Sequence, residues 1–353
     1  MKRSPFGRIY VLLGVLLLLV LVASAAIGAF SFTPARMASY LVEALHPRGS
    51  AGGDELGRNV FLQLRLPRVL LAGLTGAVLG LSGALMQGLF RNPIVEPGLA
   101  GTSAGAALGA AAVFVLGGGV GGAAGPVLGG LGVPLAAFAG GFAATMVVYR
   151  VSSAFGKVNV FTLLLAGIAV NAIGAAGTGF LSYIARDPQA RNIVFWNLGT
   201  FTTADWRAVL LVGAVFAGTA AWVFRHGKAL NAFMLGEENA AYLGIDPERL
   251  IVRLLVANTL MVATATAMVG VIAFVGLIVP HMLRMLRSAD YRFLLPASAL
   301  LGAIVMEVVD IAARVVVAPA ELPVGILTAV VGAPLFLSIL LRQQRRGGAA
   351  FYG

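Results

Sequence analysis

Three ionisable residues cluster inside an otherwise apolar run near the C-terminus: Glu307, Asp310 and Arg314. Spacings of three and four put all three on one face of a helix. Charge at membrane depth is costly and marks function by default. Three chemistries fit: a self-neutralising Asp310–Arg314 pair, docking of a partner through Arg314, or ion or proton coupling through the carboxylates. Other reactive sets are missing. His46, His226 and His281 lie far apart and form no His-Glu-x-x-His pattern. There is no cysteine, so thiolate metal sites and disulfides are excluded.

The residues that must position this cluster are overwhelmingly apolar. The chain is 59% hydrophobic and 11% charged, against about 25% charged in a soluble domain. The fold class is all-α and polytopic, because the apolar runs are long and rich in Ala, Gly and Leu rather than short and alternating. A span needs about 20 apolar residues. Ten spans are read near 9–30, 66–89, 98–117, 126–149, 160–184, 206–224, 250–269, 271–286, 294–314 and 324–341. The stretch 250–286 reads as either one long helix or two. The first run follows Lys2, Arg3 and Arg8; its "ASA" resembles a signal-peptide cleavage site, but its length favours a retained span. Gly101, Gly105 and Gly109 recur every four residues, a face on which helices pack closely.

The net charge of +11 reflects topology rather than nucleic-acid binding, because the basic residues sit in loops. With both termini on one side, sixteen of the 25 Lys and Arg residues fall on that side and nine on the other, so both termini are expected in the cytoplasm. The glycine-rich run 117–125 is then an outer loop. It follows no strand and lacks an acidic partner, so it is no nucleotide fingerprint, and no nucleotide is expected on this chain.

One polar insert interrupts the apolar pattern, "NAFMLGEENAAYLGIDPERLIVR", residues 231–253, on the cytoplasmic side. Glu237 and Glu238 follow Gly236 and suit a first helical turn. Gly244 after Leu243 is a helix stop. Asp246 and Pro247 are an N-cap and first helical residue. Two short helices about a glycine turn make a rigid knob. Its acidic start does not suit a helix lying on lipid.

Four long stretches, in order, resemble the permease subunits of FecCD/BtuC-type ABC importers, which carry iron–siderophore complexes, haem or cobalamin. They are "RLPRVLLAGLTGAVLGLSGALMQGLFRNPIVEPGLAGTSAGAALGA", "GEENAAYLGI", "GVIAFVGLIVPHMLRML" and "ELPVGILTAVVGAPLFLSILL". The resemblance covers residue 60 to the C-terminus. It implies a type II importer permease of ten transmembrane helices working as a homodimer. One transmembrane domain spans 1–353: an N-terminal span and outer loop (1–59), a family core (60–346) containing the coupling helices (231–248), and a tail (347–353). The implied partners are a second copy, two cytoplasmic ATPases that bind ATP and Mg, a periplasmic binding protein and the bilayer of a bacterial inner membrane. No cofactor or metal is expected on this chain, and it is not itself an enzyme.

The resemblance also implies residue roles. Gly236, Glu237, Glu238, Ala240, Leu243 and Gly244 match the element seated in the ATPase. Arg65, Arg68 and Arg314 resemble outer arginines that meet the binding protein. Asn92 and Ile94 resemble the positions that narrow the cytoplasmic end of the path. Val160 and Phe161 correspond to a second constriction, although the family often has small polar residues there. Phe195, Trp196 and Phe201 in "RNIVFWNLGTF" offer aromatic surface to a flat cargo. This stretch looks most like haem-import members, with ferric siderophore and cobalamin as alternatives. The rival reading from another class is an ion-coupled secondary transporter acting alone through Glu307 and Asp310.

Overall fold

A computed structural model describes residues 6–28, 30–45, 54–128, 130–154 and 157–345. His46 and the tail 347–353 lie outside the described residues. The helices are α1 (Gly7–Ala26), α2 (Pro34–Leu45), α3 (Glu55–Asn59), α4 (Leu66–Leu89), α5 (Thr102–Leu128), α6 (Gly132–Ser152), α7 (Val160–Ile184) and α8 (Gln189–Asn197). They continue as α9 (Trp206–Arg225), α10 (Gly227–Phe233), α11 (Glu237–Tyr242), α12 (Pro247–Val269), α13 (Val275–Leu286), α14 (Tyr291–Val315) and α15 (Val324–Arg345). A π-helical turn, Val60–Arg65, runs straight into α4.

Among the described residues, seven helices are long and apolar enough to cross a membrane, and three shorter apolar ones lie within α5, α13 and α15. These ten match the ten spans read from hydropathy. The stretch 250–286 is two helices, broken at Gly270 (φ +79) and Phe274 (φ +69). The run 117–125, expected as a loop, instead continues α5.

Helix α4 is the buried axis, packed against α9, α12, α13 and α14. It runs antiparallel to α14, with Gly73 beside Glu307, Gly76 on Gly302, Gly80 on Ser298 and Gly88 on Tyr291. A methyl group at Gly76 or Gly80 would overlap the facing backbone. This follows from membrane physics: apolar side chains gain little by leaving lipid, so association relies on close van der Waals contact between small residues. Helices α5 and α6 repeat the device with Gly105 on Gly140 and Gly109 on Ala136. Gly101 also looks toward Ala144 and Val148 of α6, but from the left-handed end (φ +87) of the 3-10 turn that precedes α5 rather than from within it. Gly80→Leu is expected to cost about 3 kcal/mol, the upper end for overpacking, and to appear as early loss of the monodisperse peak on heating in detergent.

Two non-helical stretches meet in the interior. Residues 90–101 pass the carbonyl of Leu99 against Gly167, seven residues into α7. Asn258, eleven residues into α12, donates to the carbonyl of Pro97 at 3.3 Å. At 1.5 Å per residue these depths are roughly 10–16 Å from the helix starts. The second stretch, 270–274, joins the first where the Phe274 N–H donates to Glu96 Oε1 at 3.0 Å. Asn171 donates to the carbonyls of Gly98 and Leu99. Irregular backbone at membrane depth is tolerated when protein groups satisfy it in this way.

Candidate functional site: the coupling element and its anchors

Local sequence shapes the knob. Gly236 (φ +111) opens α11, and Gly244 (φ +80) closes it in the left-handed region. The Ile245 N–H returns to the carbonyl of Ala240 at 3.0 Å. Asp246 then caps the next helix by accepting from the Arg249 N–H, with Pro247 in its first turn. The expected second short helix is in fact the start of the 23-residue α12. The knob is therefore continuous with a spanning helix.

The knob has a buried face and an apolar exposed face. Leu230, Phe233 and Ala240 are fully buried. Ala240, expected among the coupling contacts, faces inward and packs the knob onto the core. Outward stand Leu235 (66% exposed), Tyr242 (88%) and Leu243 (64%), beside Met234. Glu238 is exposed and Glu237 half-buried. Tyr242 was not singled out in the sequence. Its signal was there: an aromatic residue in a helix of six residues, too short to bury two faces.

Polar contacts tie α10 into the body. Asn231 donates to Asp290 at 2.7 Å and accepts from the Tyr291 N–H at 2.9 Å. Arg292 beside Asp290 holds its carboxyl down to about 2, with Asn231 and the Arg292 N–H adding to the effect. Asp290 is therefore charged at any working pH, and its stabilising contribution is lost only as pH falls toward about 2. Arg284 donates to the Tyr291 hydroxyl at 3.1 Å and to the Gln87 side chain, whose amide donates to the carbonyl of Leu277 at 3.2 Å.

Besides the buried Ala240, helix α11 has a polar link to the rest through Arg91. Its guanidinium pairs with Glu237 at 2.7 Å and lies 5.1 Å from the centre of the Phe233 ring. Arg91, Lys157, Val160, Phe161 and Glu237 line one cavity of about 580 Å³. Two residues expected at the constriction thus share a cavity with Glu237 of the knob. Phe161 is 68% exposed, and Asn159 caps its helix by accepting from the Thr162 N–H. Asn92 follows Arg91 directly, and its side chain turns back to accept from the Ile94 N–H at 3.0 Å.

At the opposite end, the three arginines expected on an open rim are engaged within the chain. Arg65 is 9% exposed and donates to the carbonyls of Ile27 and Phe30. Arg68 grips Asp310 at 2.9 Å and Glu321 at 2.8 Å. Arg314 is buried, pairs with Asp310 at 3.0 Å and donates to Ser24 and Ile27. Burying a guanidinium demands such partners, and the end of α1 supplies them as carbonyls. The three line a cavity of about 580 Å³ together with Phe201 and Glu321. Asp310 thus takes two arginines, whereas neither Glu307 oxygen has hydrogen-bond geometry to a described residue. Arg186, Arg191 and Arg207 are exposed at this end.

Of the aromatic residues, Phe195 is exposed, Trp196 packs partly against the cluster formed by Ala106, Ala110, Ala137 and Ala267, and Phe201 is buried. Phe201 therefore presents no flat face to a cargo. Ser103 has Gly-x-Ser-x-Gly spacing within Gly101–Gly105 but lies in the first turn of α5 after a 3-10 turn, not on a strand-to-helix elbow. The cavity it lines, about 480 Å³, includes Glu96, Asn171 and Asn197 and no histidine.

The model of the FecCD transport family matches residues 16–342. The chain belongs to the FecCD transport family. It is 41% identical over 288 residues to the hemin transport system permease protein HmuU of Yersinia pestis, covering 82% of this chain and 85% of that one. It is 39% identical over 300 residues to the vitamin B12 import system permease protein BtuC of Salmonella typhimurium, covering 84% and 88%. A solved structure described as an inward-facing conformation of a metal-chelate type ABC transporter superposes with a TM-score of 0.81 at 31% identity, covering 95% of this chain and 99% of that one. The FecCD chain is therefore a multi-pass permease subunit of an ABC importer, and its ATPase is a separate chain.

Proposed function

We propose that this permease works as a homodimer in a bacterial inner membrane, with both termini cytoplasmic, and moves haem inward by alternating access. The carrying observation is the exposed apolar face of the knob, Leu235, Tyr242 and Leu243, in the charged insert between α10 and α12. Apolar surface rimmed by charge marks a protein-binding site. In this family the partner is the ATPase, which carries the ATP and Mg. Its movement enters α12 through the knob and alters the constriction formed by Asn92, Ile94, Val160 and Phe161. A second copy supplies the other half of the path, facing α7, which exposes Leu165, Ile168 and Ile173 along its length.

A periplasmic binding protein delivers cargo at the end that carries Arg65, Arg68 and Arg314. Because these arginines are internally paired, their part in docking is to shape that end. Direct charge contact falls to Arg186, Arg191 and Arg207. Haem is supported by the likeness to a hemin permease and by the exposed Phe195 beside Trp196. The likeness to a vitamin B12 permease favours cobalamin as a second reading. Thermal shift and visible spectra of the cognate binding protein with haemin, a ferric siderophore and cobalamin test the cargo. A stabilising shift with haemin alone is expected, and a response to cobalamin or siderophore alone would replace it. Transport by the purified permease in liposomes under an ion gradient, without ATPase, would overturn the importer reading.

A further inference from the structure

We infer that Arg91 is the strut through which the coupling element moves the constriction. The inference rests on the reading of the knob as the ATPase seat. Helix α10 is fixed to the body: Asn231 bonds both Asp290 and the Tyr291 backbone, and Phe233 and Leu230 are fully buried. Helix α11 is held differently. Its backbone hydrogen bonds stay within residues 236–245. Among the described residues, the ion pair between Glu237 and Arg91 is its one side-chain hydrogen bond to a distant part of the chain.

The far end of that strut is well placed. Arg91 adjoins Asn92, whose side chain holds the turn to Ile94, and it lines the same cavity as Val160 and Phe161. Its backbone is unusual. Arg91 sits at φ +50, a left-handed conformation rare for a residue with a long side chain, at the close of α4. The Asn92 N–H bonds back to the carbonyl of Gln87 at 3.1 Å, and Gln87 is buried against α13. The guanidinium also lies over the Phe233 ring. Arg91 is thereby set between α10, anchored by several polar contacts, and α11, which has one distant polar contact besides the buried Ala240. A displacement of Glu237 pulls on the one loop that carries Asn92 and Ile94 and reshapes the cavity wall at Val160 and Phe161.

Both side chains are part-exposed, so the pair contributes little to stability by itself. That is suited to a contact that breaks and re-forms in each cycle. A second cation, Lys157, lines the same cavity. Arg91 is a positioning residue; it acts through Asn92 and Ile94.

The absence of native cysteine makes a direct test available. In the complete complex with its ATPase, Phe161→Cys is labelled with a water-soluble maleimide, with and without ATP plus vanadate. The labelling rate should change several-fold on trapping in the otherwise unaltered chain. Arg91→Gln should abolish that change while the ATPase still co-purifies and hydrolyses ATP. The exchange Arg91→Glu with Glu237→Arg should restore it. A nucleotide-dependent change that persists in Arg91→Gln, or an exchange that fails to restore it with the ATPase still bound, overturns the strut. Failure of the ATPase to bind the unaltered chain overturns the coupling reading beneath it, and the strut with it.

Discussion

Tyr242→Ala and Leu243→Ala will each weaken ATPase binding by about 2 kcal/mol or more, roughly 30-fold, while leaving the membrane fold intact. Tyr242 is 88% and Leu243 64% exposed, so neither holds the permease together. A large exposed aromatic next to an exposed leucine is what an interface buries at its centre, and such anchors carry most of the affinity. The neighbouring Glu238 is a rim charge, and Glu238→Ala should change binding by about 0–1 kcal/mol. Gly244→Val acts differently. At φ +80 a β-branched residue is strained, by about 1–2 kcal/mol, and that strain tilts α11 against α12. Affinity of the detergent-solubilised permease for its ATPase, read beside thermal unfolding of the permease alone, separates the three. If Tyr242→Ala binds as well as the unaltered chain, the exposed face is not the seat.

Asp310→Asn will be the most destabilising single charge change in the chain, by about 3–5 kcal/mol. Its carboxylate is fully buried and answers both Arg68 and Arg314. Removing one member of a buried ion network leaves the others uncompensated in a medium of low dielectric, and that penalty is the larger part of the loss. Glu321→Gln is the control. It meets Arg68 from a side chain 37% exposed, so solvent can replace it and the loss should be about 0–1 kcal/mol. Thermal unfolding in detergent measures both. Equal, small effects would mean that the network is well hydrated and that the two arginines are free to turn outward toward a binding protein, as the family resemblance implied.

The same network shows how differently two neighbouring carboxylates are used. Glu307 and Asp310 lie on one helix face, and both are fully buried. Asp310 meets two arginines, whereas Glu307 faces Gly73 of α4 with no hydrogen bond of good geometry to any described residue. Periodicity correctly put Asp310 beside Arg314. It contained nothing about Arg68, which lies 242 residues away along the chain.

That contrast divides what was legible from what was not. Ten apolar helices could be counted from hydropathy, since each span must satisfy its own backbone in lipid and so announces itself over about 20 consecutive residues. The knob could be placed because Gly236, Gly244, Asp246 and Pro247 act on their own backbone within a turn or two. Its inward and outward faces were not legible: whether Ala240 or Tyr242 reaches a partner depends on where α10 and α12 lie. Nor was the meeting of residues 90–101 with 270–274, since Glu96 finds the Phe274 N–H only once α4 and α13 have packed. Glycine marks the limit most clearly. The spacing of Gly105 and Gly109 showed a small-residue face, but only packing chose α6 as its partner. Local backbone chemistry and hydropathy are written in short stretches of sequence. Which buried charge meets which, and which face of a short helix is left open, is decided by contacts between distant segments, which exist only in the folded chain.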